Sequence, residues 1–531
     1  MGELKTTIEL ILGLLVAVVF LAALARRLHI PAPLLLVLAG LAGALLPGIP
    51  SVHMEPDLVL LLFLPPLLYG DAWATSWRDF RANLRPIVLL AVGLVFATTL
   101  GVGVVAHAAL PGLPWAVAFT LGAILSPTDA VASVAIAERL GLPQRLLTII
   151  EGESLVNDAS ALVAYRFALV AVLTGTFSAS QVVLQFVWVA GAGVVVGLAA
   201  GWVLIKISKL LTEPTLAVVF SLLTPYFAYL PAEAVGASGV LAVVTAGLVL
   251  GRMSPVLLGN EIRLTGGAVW DSMEFLINGL VFILLGLQLR TVLEGVGNGG
   301  LRPVLWAAGW VALAMILVRL LWVFPAAALP RWLSPSLRKR DPMPSARVLA
   351  VIGWTGLRGA VSLAIALALP LQLPSGQPFP YRAELQFITF VAVVLGLLLQ
   401  GLTLAPLIRL LGLRDDGTVE RETQRARLAA TRAAHARLES LLEESWVPRN
   451  EAERLRETLR ERLQFLESPT PPAQWAPYLR MMREVIEAQR RELLRLRDAG
   501  AIGDEARRAV ERDLDLEEAS LLPTGSPTTD G

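Results

Sequence analysis

The chain has 531 residues, of which 55% are hydrophobic and only 16% charged, and its mean hydropathy is +0.67. That composition excludes a water-soluble globular protein. Lysine and arginine number 44 against 43 aspartates and glutamates, so a net charge of +1 supplies no field to recruit nucleic acid. The lack of cysteine excludes disulfides, thiolate ligands and cysteine-held iron–sulfur clusters, four scattered histidines argue against a zinc site, and no resident cofactor is expected.

The charge is uneven. Residues 1–413 carry 24 basic and 19 acidic side chains, whereas the 118 residues of 414–531 carry 20 and 24. This division predicts a membrane transport domain over 1–413 and a solvated, cytoplasmic helical tail over 414–531, a candidate regulatory element. A helix needs about 20 mainly apolar residues to cross about 30 Å of hydrocarbon. Apolar runs place spans near 6–25, 31–47, 56–74, 86–108, 114–137, 144–173, 181–205, 214–231, 236–251, 268–289, 303–329, 347–370 and 384–411. The expected fold is therefore an all-α integral membrane protein of about thirteen transmembrane helices. The first run ends on Arg26 and Arg27 without a small-residue cleavage site, so it reads as a mature helix rather than a signal peptide. Alternate loops hold 18 basic residues against 3 in the intervening ones, which places the N-terminus outside and the tail in the cytoplasm of a plasma (bacterial inner) membrane. Beyond the last span, apolar residues at helical spacing predict tail helices over 421–446, 449–466, 475–497 and 504–522.

Ionisable groups inside spans are costly and mark function. Asp129 lies in Leu125-Ser-Pro-Thr-Asp-Ala-Val-Ala132, where Pro127 removes a backbone donor and should break the helix, setting Thr128 and Asp129 against a cavity. The next span reads Glu151-Gly-Glu-Ser-Leu-Val-Asn-Asp158. Ser154 and Asp158, four apart, share a helix face, and Glu153 aligns with Asn157 beside them. Hydroxyl, amide and carboxylate oxygens are the ligands that a small hard cation needs, and a buried carboxylate can hold a proton instead. A second interruption is expected where Arg358 stands between Gly356 and Gly359. Aligning Asp129-Ala-Val-Ala-Ser with Arg358-Gly-Ala-Val-Ser suggests inverted repeats with two crossed discontinuous helices. Asp129 would face their N-termini and Arg358 their C-termini.

Four motifs, Phe63-Leu-Pro-Pro-Leu-Leu-Tyr69, Ser126-Pro-Thr-Asp-Ala-Val131, Gly152-Glu-Ser-Leu-Val-Asn-Asp158 and Gly356-Leu-Arg-Gly-Ala-Val-Ser362, occur in this order. Over residues 5–412 the chain resembles the monovalent cation/proton antiporters of NhaP and NHE type. The resemblance implies a homodimer in the lipid bilayer that exchanges Na+ (or Li+ or K+) for H+ by alternating access, with Na+ and H+ as the transported partners. It implies that Asp158 binds cation and proton, with Asn157 beside it and Ser154 and Thr128 as oxygen ligands of Na+. Asp129 is implied as the acid beside the broken helices, and Glu153 and Arg358 as a structural ion pair. The Asn157-Asp158 pair resembles the electroneutral branch. One departure is visible: the acidic residue usual four places after the second proline of Leu-Pro-Pro is Gly70 here. Asp71 follows one residue later, about 100° away around a helix, as an accessory candidate. The competing readings are a proton-coupled carrier of an organic solute and, within the same family, a K+/H+ antiporter. A membrane enzyme is not expected, because the four histidines fall at loops, a span end or the tail.

Overall fold

The computed structural model describes residues 2–28, 30–46, 59–175, 179–296, 301–415, 417–467, 475–499 and 501–521. The edges of the second and third expected spans (47 and 56–58), the proline-rich linker 468–472, Gly500 and Leu522 lie outside the described residues. The chain forms two compact units, Met1–Asp416 and Gly417–Gly531. Among the described residues both are helical, with a single isolated bridge between Gln372 and Pro378.

In the first unit α1 (Gly2–Leu28) and α2 (Ala32–Leu45) are followed by a π-helical turn, Val59–Phe63, that leads into α3 (Leu64–Ala74). Next come α4 (Trp77–Ala82), α5 (Leu84–Val88), a second π-helical turn (Leu89–Leu94), α6 (Val95–Ala109), α7 (Trp115–Ile124), α8 (Val131–Arg139) and α9 (Gln144–Thr174). The second half holds α10 (Ala179–Ser208), α11 (Pro214–Ala234), α12 (Gly239–Leu257), α13 (Asn260–Leu287), α14 (Leu289–Val296), α15 (Leu301–Leu333) and α16 (Pro335–Arg340). It ends with α17 (Ala346–Trp354), α18 (Ala360–Leu367) and α19 (Arg382–Leu411).

Among the described residues nine helices are long and apolar enough to cross a membrane. The remaining expected spans correspond to the short α2, to α3 with its π turn, and to two interrupted pairs, α7/α8 and α17/α18. Both interruptions fall where the backbone chemistry demands them. Pro127 lacks the donor that would continue α7, and α17 ends at Thr355 ahead of Gly356 and Gly359.

The packing is that of helices in lipid, where small residues let backbones approach. α2 and α13 meet at Gly40 and Gly286, and a Cβ on Gly40 would come within 2.9 Å of the Gly286 Cα. The buried core joins α2, α6, α7, α13, α15 and α19. The outward faces stay apolar: Phe20 of α1, Leu184 of α10 and Leu321 of α15 are each more than 70% exposed. Such surface is covered by acyl chains rather than water.

The second unit contains α20 (Thr418–Leu441), α21 (Arg449–Glu467), α22 (Trp475–Asp498) and α23 (Asp504–Leu521). α20 packs on α21 and α22 on α23, burying Leu438, Ala452, Ile486 and Leu514. On α21, Leu455 remains exposed.

Candidate ion-binding site

The site is built on α9, because its polar residues recur at helical spacing and so project together. Glu153, Asn157 and Asp158 are buried, and Ser154 and Glu151 are half-buried. Facing them is the unwound stretch between α7 and α8. Ser154 Oγ donates to the Thr128 carbonyl at 2.9 Å. The Thr128 hydroxyl donates to Glu153 Oε1 at 3.1 Å and accepts from Asn157 Nδ2. Thr128 thus ties the break to α9 through three side chains. The Asn157 Oδ1 is buried without a partner among the described residues, and no hydrogen bond reaches the Asp158 carboxylate from any of them. Three oxygens on neighbouring residues are thereby left open to a cation, and the two of the carboxylate can take a proton instead.

The two interruptions are hydrogen-bonded to each other. Asp129 N donates to the Leu357 carbonyl at 2.8 Å, and Arg358 Nε donates to the Leu125 carbonyl at 2.7 Å. Asp129 Oδ1 accepts from Val131 N at 2.9 Å, at the first turn of α8. Gly359 precedes α18 and lies against the Asp129 carboxylate, whose Cγ would be 2.8 Å from a Cβ at that position. The aspartate therefore sits at two positive helix N-termini. Arg358, fully buried, donates Nη1 to the Gly356 carbonyl at 2.9 Å and so serves the negative C-terminal ends of α7 and α17.

One expected contact is not formed. Glu153 does not pair with Arg358; its partner is Arg319 of α15, which donates Nη2 to Glu153 Oε2 at 2.8 Å and Nη1 to Oε1. Arg319 also donates Nε and Nη2 to the Ile352 carbonyl of α17 at 3.1 and 3.0 Å. The physical reason is that Arg358 is turned toward the breaks, where Nε and Nη1 are held by carbonyls while Nη2 has no partner among the described residues. Arg319 comes from an unbroken helix, has no free carbonyl of its own, and reaches across. A buried arginine in an otherwise apolar span was the signal in the sequence, but it named no partner. Arg166 forms an ion pair with Glu233 at 2.9 Å.

Gly70 now has a cause. The carboxylate of Glu274, from α13, occupies the place where a side chain on Gly70 would project. Asp71 is exposed, yet Glu274, Asp129 and Glu151 lie within its electrostatic reach, and Asp158 feels both Asp129 and Asp71. Glu153 is neutralised by Arg319. Among the described residues no ion pair joins the other acids to a cation, which makes this interior an attractor for positive charge. Among the described residues no three His, Cys, Asp or Glu side chains form a metal cage. The polar side chains gathered here are instead one carboxylate, that of Asp158, with the hydroxyls of Ser154 and Thr128 and the amide of Asn157.

The profile of the family described as sodium/hydrogen exchanger, transmembrane, matches residues 14–410. The chain is 35% identical to an uncharacterized Na(+)/H(+) exchanger of Mycobacterium tuberculosis (strain ATCC 25618 / H37Rv), over 96% of each chain. It is 33% identical to an uncharacterized Na(+)/H(+) exchanger of Escherichia coli (strain K12), over 97% of this chain and 98% of the other. It is 34% identical to a sodium, potassium, lithium and rubidium/H(+) antiporter of Bacillus subtilis (strain 168), over 72% of this chain and 58% of that one. Its fold is like that of the sodium proton antiporter MjNhaP1 from Methanocaldococcus jannaschii, with a TM-score of 0.61 at 23% identity over 78% of this chain and 100% of that one. The chain therefore belongs to the transmembrane sodium/hydrogen exchanger family, as a multi-pass membrane antiporter of the NhaP type.

Proposed function

We propose that this antiporter exchanges Na+ for H+ across the plasma membrane by letting the two ions compete for Asp158. The observation that carries this reading is the buried Asp158 carboxylate, which accepts no hydrogen bond from the described residues beside an equally unpartnered Asn157 oxygen. A bare carboxylate in a low-dielectric interior is expensive, so it persists either protonated or beside a cation. Ser154 offers a hydroxyl oxygen. Thr128 offers one remaining lone pair, since it already accepts from Asn157. Asp129 fixes the broken helices and adds negative potential. Because Asp158 carries one positive ion in each direction, the loaded site has the same charge in both half-cycles and exchange is electroneutral.

In this proposal thirteen spans with inverted repeats support alternating access, the interrupted helices and α9 moving as a block within a homodimer. The basic loops face the cytoplasm, as do the N-terminal end of α9 and the tail. A second reading, transport of K+ or Li+, is favoured by the Bacillus subtilis relative, a sodium, potassium, lithium and rubidium/H(+) antiporter.

Proteoliposomes loaded with a pH-sensitive dye test this directly, with Na+, K+ and Li+ added in turn at zero and at finite membrane potential. The expected result is Na+-driven proton efflux indifferent to potential and absent in Asp158→Asn, which still folds. The apparent KM for Na+ should rise about tenfold per unit fall in pH once the site is mainly protonated. Normal flux in Asp158→Asn would refute the assignment, and a KM independent of pH would refute the competition.

A further inference from the structure

Three arginines converge on one aspartate at the arginine-rich end of the membrane unit. Asp341 Oδ1 accepts from Arg145 Nη2 at 2.9 Å, and Oδ2 accepts from Arg331 Nη2 at 2.8 Å and from Arg85 Nη2. Arg331 Nε also holds the Asp341 carbonyl at 2.9 Å. Three positive groups around one negative leave an excess of two charges. The neighbouring Arg338, Lys339 and Arg340 of α16 are exposed and only add to it. The Arg331 side chain is buried, but those of Arg85 and Arg145 are 30% and 52% exposed, so two guanidiniums keep donors facing outward.

The same arginines rim a cavity of about 350 Å³. Its walls are apolar, formed by Leu90, Ile149, Val323, Ala326, Leu349 and Ile352. That volume falls within the roughly 300–1,000 Å³ of small-molecule pockets. Beside it α15 turns Leu321, Phe324 and Leu329 outward, so the mouth lies at the boundary between the charged end and the acyl-covered face. We infer that this cavity binds an anionic membrane lipid, its phosphate between Arg85 and Arg145 and part of an acyl chain in the recess. Guanidinium forks match phosphate oxygens in pairs. A soluble anion would use the arginines and leave the apolar walls unoccupied, whereas a zwitterionic lipid would not offset the excess charge. The bound chain would wedge between α9, α15 and α17 and end against Ile352, whose carbonyl holds Arg319. The inference is independent of which ion occupies Asp158.

The test uses the full chain, delipidated in a neutral detergent and titrated with phosphatidylglycerol or phosphatidylcholine under native mass spectrometry. Wild type should retain one phosphatidylglycerol per chain in preference to phosphatidylcholine. Arg85→Gln and Arg145→Gln should each weaken retention about fivefold. Ala326→Phe, which fills the recess without changing charge, should remove the same adduct, with Ala327→Leu as the alternative if the larger side chain prevents folding. Excess inorganic phosphate should fail to displace the lipid. Undiminished retention in the recess-filled variant, displacement by inorganic phosphate, or equal retention of phosphatidylcholine would each overturn the inference.

Discussion

Replacing Arg319 by methionine removes the positive half of a pair whose members are 1% (Glu153) and 2% (Arg319) exposed. Four hydrogen bonds disappear, two to Glu153 and two to the Ile352 carbonyl. Among the described residues the Glu153 carboxylate then retains only the Thr128 hydroxyl at 3.1 Å. Stranding one charge of a buried pair costs about 3–5 kcal/mol, and an orphaned carbonyl adds about 1–3 kcal/mol. Uptake of a proton by the stranded carboxylate offsets part of the sum, so we expect a loss of about 3–5 kcal/mol. The double variant Glu153→Gln with Arg319→Met leaves no uncompensated charge and should lose about 2 kcal/mol or less, because apolar or neutral replacements of both members are often tolerated. The coupling between the two sites should therefore exceed about 1 kcal/mol. Reversible unfolding in mixed micelles, titrated with denaturing detergent and followed by tryptophan fluorescence, measures all four corners of the cycle. Equal destabilisation of the single Arg319→Met and the double variant, or a single variant within error of wild type, would refute the reasoning.

Two further outcomes follow from the packing and from the basic cluster. Gly40→Ala forces a Cβ against the backbone of α13 and should cost about 1–3 kcal/mol or more. Gly70→Ala displaces only the flexible end of Glu274, so it should unfold within about 1 kcal/mol of wild type; a reversed order in the same unfolding assay would contradict both contacts. For Asp341, burial pushes its carboxyl up, but hydrogen bonds and charge from Arg145, Arg85 and Arg331 outweigh this and hold it below its ordinary value of 3.8. A depressed folded value means the contribution is fully present above the ordinary range and lost as pH falls through the depressed one. Asp341→Asn should thus be less stable than wild type at neutral pH and converge with it in acid, whereas a gap that widens on acidification would reverse the sign.

What could be read in advance depended on range along the chain. The polar face of α9 was legible because Ser154 and Asp158 are one turn apart, and a single helix presents them together. The breaks were legible because Pro127, Gly356 and Gly359 act on their own backbone. The start of α13 was not: its first turns carry exposed Glu261 and Arg263, so an apolar count begins at 268 although the helix begins at Asn260. Nor could the partner of Glu153 be chosen. Two arginines, Arg319 and Arg358, stand well inside later spans, and the one that pairs lies 166 residues away. The rule that separates them is physical: an arginine inside an interruption is claimed by the carbonyls that the interruption releases. Gly70 read as a lost acid because its neighbour in space, Glu274, lies two hundred residues downstream.

Thr128, Glu153, Arg319 and Ile352 form a chain of bonds that fastens four separate stretches of polypeptide to one another. Under the proposed alternating access, a body stitched in this way would be stiffest around Asp158 and more compliant toward the outer turns of its helices. Amide deuteration should be slowest around residues 126–129, 150–158 and 355–359 and faster toward the outer turns of the same helices. If access alternates as proposed, the interrupted helices and α9 travel as one piece, and the coordination offered to an ion stays the same whichever side of the membrane is open.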